Sequence, residues 1–270
     1  MRRLLPALFA LWAVAAAGQE TIYTDLPRDD PGFHVETRIK AAPQGDYPAF
    51  LTAARLEVPT TVYDHDVLGG LPRWSVLSVT ARSCARCPPG FGAVSKKLAP
   101  NLVFEDTAPR LWDVTGNGLP EVVVVQSHTQ KGARLTVWRY GDGLKMIAAT
   151  PFIGQPQRWL APAGIGDFDG DGRTEIAYVD RPHLKRDLVF VRYQGGALAE
   201  IARIPGLTNH RLGSDVIVGG TRNCGAGDEV VLADADWKQA VAVRLDGAKP
   251  QMRTLGRLRG PDDLARFVGC

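Results

Sequence analysis

The strongest constraint on the fold is an internal repeat with a step of 54 residues. Asp113 and Asp167 each open a turn that contains two glycines, and Glu121 and Glu175 each begin a β-rich run. The same step from Glu175 reaches Glu229, which begins a third such run after a turn that keeps its glycines and has lost its acids. A fixed period of this length is typical of proteins built from stacked structural units.

A weaker copy over residues 63–77 brings the number of copies to four. In the later copies a second alternating strand is expected after each run, at residues 134–140, 187–193 and 239–245. Short β-rich runs between turn residues predict an all-β fold, with a helix expected only at residues 261–267. Units this small cannot bury a face alone, so we expect a β-propeller-like array of four or five blades, or a partial array.

The first residues have the three parts of a secretory signal peptide. Arg2 and Arg3 precede an apolar stretch, which ends in small residues before Gln19. We therefore expect a signal peptide at 1–18, an irregular segment at 19–54 and the propeller domain at 55–270. No later stretch is apolar enough to cross a bilayer, so we expect no membrane span in the mature chain and a periplasmic or secreted location.

Composition and charge are those of an ordinary globular protein. Apolar residues make up 45% of the chain and charged residues 23%, and the formal net charge is +3. The basic residues are scattered, and Lys96 and Lys97 are the only adjacent lysines. This pattern excludes the basic stripe of a nucleic-acid-binding protein.

The four cysteines favour disulfides, because an exported chain folds in an oxidising compartment. Our first choice pairs Cys224 with Cys270, which would tie the chain end to the last repeat. Cys84 and Cys87 would then close a small loop. The alternatives for this close pair are a redox centre or half of a zinc site, but the sequence supplies the context of neither.

The segment Asp167–Glu175 carries the best candidate metal site. Asp167, Asp169 and Asp171 place carboxylates at alternate positions in a turn, where they can converge on one point. The backbone carbonyl near Arg173 and the side chain of Glu175 would add two more oxygens. Calcium prefers six to eight oxygen ligands, so this loop predicts a Ca²⁺ site. The alternative is a polar hairpin turn, since Asp and Gly are common in turns.

The repeated Asp-Phe-Asp-Gly-Asp-Gly-x-x-Glu pattern before a β run resembles the FG-GAP/VCBS repeat family. The resemblance covers roughly residues 59–245 and implies an integrin-type propeller with calcium in such loops. It implies the same five ligand positions in the loop, and a weaker second loop at Asp113, Asn117 and Glu121. Many members have seven blades, and this chain is too short for seven at its repeat step.

Polar residues just past the first strand of each copy could line a binding mouth at one end of the array. The candidates are Gln126, His128, Asp180, Arg181, His183, His210, Arg211, Asp234, Asp236 and Trp237. We interpret them as a non-catalytic surface for a glycan, peptide or protein of the cell envelope, since such loops often carry recognition residues. The alternative is a secreted hydrolase that uses one of these histidines with Asp180 or Asp234. An enzyme is the less favoured interpretation, because the sequence contains no Gly-x-Ser-x-Gly, Walker or His-Glu-x-x-His motif and no Gly-x-Gly-x-x-Gly before a helix.

Overall fold

The computed structural model describes residues 19–41, 43, 49–82 and 91–270. Within them the chain forms nineteen strands and one short C-terminal helical segment. The strands are β1 (Gln19–Tyr23), β2 (Val35–Ile39), β3 (Phe50–Thr60), β4 (Arg73–Arg82), β5 (Phe91–Lys97), β6 (Leu102–Phe104), β7 (Arg110–Trp112), β8 (Glu121–His128), β9 (Gly132–Gly141), β10 (Gly143–Ala149), β11 (Leu160–Gly166), β12 (Glu175–Asp180), β13 (Asp187–Gln194), β14 (Ala197–Pro205), β15 (Leu207–Thr208), β16 (Gly220–Asn223), β17 (Asp228–Asp234), β18 (Gln239–Asp246) and β19 (Lys249–Arg257). A 3₁₀ turn (Pro261–Leu264) leads into α1 (Ala265–Val268).

The strands form three antiparallel sheets, which confirms the all-β prediction. Strands β11 to β14 form a four-stranded meander that contains the third copy, and β15 to β19 form a five-stranded sheet that contains the fourth. The first ten strands form one sheet, curled into a half-barrel. The first two copies share this sheet because β6 pairs with both β4 and β8.

The second strands expected in the later copies are confirmed as β9, β13 and β18. The strand before each of them is buried on both faces. All six residues of β12 are buried, and so are the first seven of β8. A short run that is apolar at consecutive positions is consistent with a strand covered on both sides. These strands therefore form the centre of each copy and hold the loops that precede them.

The segment at 19–54 was predicted to be irregular, and this prediction is wrong where the structure describes it. It contains β1, β2 and the start of β3, which are the first three strands of the curled sheet. In β2 the burial does not alternate, since Val35, Glu36 and Thr37 are all buried in succession. Glu36 lies there because Arg55 and Arg38 hydrogen-bond its carboxylate, which hides the polar and apolar alternation that marks a strand.

The C-terminus is fixed to the last sheet. The predicted disulfide between Cys224 and Cys270 is confirmed, and Leu264 is fully buried. The helix expected near residue 264 is also confirmed. Cys84 and Cys87 lie outside the described residues. No helix among the described residues is long and apolar enough to cross a membrane.

Candidate functional site

The Asp-rich loop between β11 and β12 is folded by its first carboxylate. Asp167 accepts backbone hydrogen bonds from Gly170, Asp171 and Gly172 at 2.8 to 3.0 Å. Gly170 and Gly172 have φ angles of 75° and 82°, a region that favours residues without a Cβ. The two glycines of the repeat are therefore required by the tight wrapping of the backbone around Asp167.

The neighbouring sheet also supports the loop. Gly166, the residue before it, has no side chain where Asp228 approaches; a Cβ there would lie 2.6 Å from the Asp228 carboxylate. The same carboxylate accepts the Asp167 N–H at 2.9 Å. The start of the loop is thus held by the sheet of the fourth copy as well as by its own strands.

Three carboxylates of the loop converge. One oxygen from each of Asp167, Asp169 and Glu175 lies within 4.8 Å of the other two. Clustered carboxylate oxygens are the ligands that Ca²⁺ prefers, so this donor set fits a hard cation. Asp171 lies outside the converging group and pairs with the Arg173 side chain. The Arg173 carbonyl remains a predicted ligand only.

Arg192 on β13 contacts the same loop, and the sequence interpretation missed it. Its guanidinium donates to Glu175 at 2.7 Å and to Asp169 at 2.9 Å, and it lies 3.0 Å from the Asp171 carboxylate. Its side chain is only 8% exposed. A cation of the protein itself therefore shares two of the three converging carboxylates.

The carboxylates of the loop differ in their electrostatic environment. Burial raises the pKa of Glu175, and this effect outweighs the hydrogen bonds from Arg192 and the Phe168 N–H. Hydrogen bonding to Arg173 lowers the pKa of Asp171 to about 2. Glu175 is thus the carboxylate with most to gain from an additional positive charge, because it is the most deeply desolvated.

The sister loop that begins at Asp113 has the same backbone. Asp113 accepts the N–H groups of Asn117 and Gly118, as Asp167 does for its own loop. Glu121 accepts the Val114 N–H at 2.9 Å and pairs with Arg139 on β9. Among the described residues, no convergent acidic group is found here.

The fourth copy also pairs its glutamate with arginines. Arg222 and Arg253 both donate to the Glu229 carboxylate at about 3.0 Å. Burial by itself would raise the pKa of Glu229, yet the hydrogen bonds and charges of these arginines outweigh it and lower the pKa. Each copy with a recognisable loop thus has a Glu–Arg pair at the start of its central strand. The sequence held a signal for two of them, since Arg139-Tyr140 and Arg192-Tyr193 recur near the end of the next strand.

The residues expected to form a binding mouth come together only in part. His183 Nε2 lies 2.8 Å from His210 Nδ1, and both rings pack against Trp159. Burial lowers the pKa of His183 to about 4 and that of His210 to about 3, so both rings are neutral near neutral pH. Elsewhere in the predicted mouth, the Arg211 guanidinium lies over the Trp237 ring.

Among the other predicted residues, Asp180 and Arg181 contact each other, and the rest pair with residues outside the predicted set. Asp180 pairs with Arg181 and Arg203, while Gln126 accepts from Arg134. His128 contacts Asn101, and Asp234 and Asp236 both interact with Lys238. Within the described chain, none of the His–Asp pairs considered for a hydrolase is hydrogen-bonded. The hydrolase interpretation therefore lacks the geometry that it requires.

One histidine–carboxylate pair was not predicted. His65 Nδ1 lies 2.7 Å from Glu105, which also accepts a hydrogen bond from Ser127. Glu105 and Ser127 are fully buried. The glutamate lies between the imidazole and the hydroxyl, so His65 is not hydrogen-bonded to Ser127, and the network joins the loop before β4 to the inside of β8.

A known family matches this chain, and the match lies in the repeat region. Residues 113–178 match the model of an FG-GAP-like repeat. Among curated proteins no significant match is found. The matched span runs from the first acid of the sister loop to the centre of β12, so it includes both Asp-rich loops. FG-GAP repeats indicate a β-propeller-type interaction domain. Residues 113–178 of the chain therefore carry an FG-GAP-like repeat.

Proposed function

We propose that this chain is an exported, non-catalytic β-propeller protein in which calcium stabilises the loop Asp167–Glu175. The proteins or glycans it binds would be components of the cell envelope. The single observation that carries the calcium proposal is the convergence of Asp167, Asp169 and Glu175. This convergence lies on a base of buried strands, which keeps the three oxygens close before any ion binds.

The proposed array has four blades. The sheets β11–β14 and β15–β19 would be two of them, and β7–β10 a third, since each contains one Asp- or Gly-rich turn before its central strand. The strands β1–β5 would supply the fourth. Stacked units of this kind present their loops on a rigid frame, which suits recognition of a partner.

Export is supported by two features of the sequence and structure. Residues 1–18 have the pattern of a signal peptide, and the chain end is closed by a disulfide. Structural disulfides persist in oxidising compartments such as the periplasm or the extracellular space. Periplasmic and secreted locations both agree with this proposal.

Calcium would have to share its ligands with Arg192, because this guanidinium already binds Asp169 and Glu175. Because calcium would bind the folded loop and not the unfolded chain, adding calcium to chelator-treated protein is expected to raise the melting temperature. A ligand at about 100 times its dissociation constant stabilises the native state by about 2.7 kcal/mol. For a domain of this size that corresponds to a rise of about 5 to 10 °C.

The test variants are Asp169→Ala, which removes the acid at the third position of the loop at Asp167, and Asp113→Ala, which removes the first acid of the sister loop. Asp169→Ala should abolish most of the calcium-dependent shift, whereas Asp113→Ala should leave it in place. Differential scanning calorimetry with chelator and with calcium measures both. An identical melt of the wild-type protein in the two conditions would contradict the calcium proposal.

The binding proposal is tested separately on arrays of envelope glycans and of peptides from secreted proteins. We expect saturable binding to one class and an unchanged mass of the bound ligand after incubation. Cleavage of the ligand would instead support the hydrolase interpretation.

A further inference from the structure

A second concave site lies at the C-terminus, far along the chain from the Asp-rich loop. It is a pocket of about 840 Å³ lined by the end of β19, the segment after it and α1. Its lining contains three arginines, Arg257, Arg259 and Arg266, and the ring of Phe267. The pocket thus collects three positive charges on one concave surface.

Little negative charge neutralises these arginines. Asp263 lies 3.5 Å from the Arg266 guanidinium and accepts the backbone N–H of Arg259. Among the described residues, no carboxylate lies within 4.0 Å of the Arg257 or Arg259 guanidinium. From residue 249 onward the chain has five basic and two acidic side chains, a net charge of +3, which equals that of the whole chain.

The structure holds the third arginine in place. Arg266 donates to the Arg257 carbonyl at 2.9 Å, and its guanidinium lies over the Phe267 ring. The segment that carries it is anchored by the buried Leu264 and by the bond from Arg222 to the Phe267 carbonyl. The disulfide of Cys270 fixes its end. A positioned side chain loses less conformational entropy when it binds a ligand.

We propose that this pocket binds the phosphate group of a phosphate ester. A carboxylate has one charge and two oxygens, which a single guanidinium can satisfy in a bidentate pair. A phosphate has more oxygens and more charge, so it can accept from several guanidinium groups at once. The pocket is larger than one phosphate and leaves room for the group esterified to it. The proposal goes beyond the function proposed above, because it does not depend on calcium.

The first test titrates the full-length exported protein with inorganic phosphate in the presence of a calcium chelator. The NMR signals of the arginine Nε–Hε groups report the binding directly. We expect the signals of Arg257, Arg259 and Arg266 to shift together in a saturable way. The double variant Arg257→Gln/Arg259→Gln should weaken binding by at least about tenfold, since hydrogen bonds to charged groups are lost.

The matched control is Lys96→Gln/Lys97→Gln, which removes the same two charges from exposed positions on β5. It should bind phosphate as the wild-type protein does. Equal weakening in both double variants would show a general charge effect and overturn the proposal. The absence of saturable shifts at the three arginines would overturn it as well.

A second experiment identifies the source of the phosphate. Vesicles of phosphatidylcholine alone are compared with vesicles that also contain phosphatidylglycerol, in a sedimentation assay. Sedimentation with the second kind only, lost in Arg257→Gln/Arg259→Gln, identifies a lipid headgroup. Saturable phosphate binding without sedimentation indicates a soluble phosphate compound rather than a lipid headgroup. Sedimentation that both double variants retain would contradict a role for the pocket.

Discussion

The two Asp-rich loops have the same backbone and different charges. In both, the first Asp accepts the N–H groups four and five residues later, and the Glu accepts the N–H of the residue after that Asp. The loop at Asp167 has acids at its third and fifth positions, where the sister loop has Thr115 and Asn117. The shared backbone shows that the turn itself does not require these two acids.

The arginine of each copy reflects the same difference. Arg192 contacts three carboxylates and is 8% exposed, whereas Arg139 contacts Glu121 and the Thr115 hydroxyl and is 40% exposed. The guanidinium of Arg192 can therefore neutralise negative charge of the loop carboxylates. In the loop at Asp167, the proposed calcium ion and Arg192 would be alternative or shared partners of the same oxygens.

The largest effect is expected from removing the two arginines. Without calcium, Arg192→Met should lower the free energy of unfolding by about 3 to 5 kcal/mol, because it leaves buried carboxylates unpaired. Arg139→Met should cost less, about 1 to 3 kcal/mol, because it leaves the single buried carboxylate of Glu121 unpaired and because Arg139 is already 40% exposed. Chemical denaturation in chelator measures both, and calcium should recover much of the loss in Arg192→Met only. Equal losses in the two variants would show that the loops do not differ in this way.

A smaller effect is expected from giving the sister loop the missing acids. Thr115→Asp/Asn117→Asp reproduces the acidic positions of the loop at Asp167. Without calcium the double variant should be less stable than the wild type, because like charges repel. With calcium it should bind one additional ion in isothermal titration calorimetry. An unchanged stoichiometry would mean that features other than these acids distinguish the two loops.

The smallest effect concerns the fourth copy, where Arg222 and Arg253 lower the pKa of Glu229. A carboxyl group with a lowered folded-state pKa contributes stability above its unfolded pKa of about 4.3, and this contribution is lost as the pH falls through the folded value. Glu229→Gln should therefore reduce stability by about 1 kcal/mol near pH 7 and by less near pH 3. Thermal melts at several pH values measure this. A constant difference across the range would contradict the role of the two arginines.

Much of the fold could be predicted from the sequence because the repeat is local. The central strands, the strands after them and the turn glycines all follow from the spacing of Asp113, Asp167 and their glutamates. The disulfide between Cys224 and Cys270 was also predicted correctly. Among the N-terminal strands, β2 was missed because the buried Glu36 interrupts its alternation.

The site was predicted less completely, since it depends on neighbours across the sheet. The recurring Arg139-Tyr140 and Arg192-Tyr193 do not by themselves indicate that Arg192 pairs opposite Glu175. Nothing near Asp167 in the sequence indicates that Asp228 from another sheet binds the start of the loop. The proposed mouth was built from positions in the repeat, and side-chain partners such as Arg203 for Asp180 decide where those groups point.

The Glu–Arg pair at the start of each central strand has a consequence for how the sequence can change over time. The turn before Glu229 has lost its acids, yet the strand keeps its buried glutamate bonded to arginine. The Glu–Arg pair thus holds the start of the strand independently of the residues in the turn. Under the calcium proposal, a copy could lose its ion by substitution in the turn while its sheet stays intact, so one scaffold could combine ion-dependent and ion-independent units.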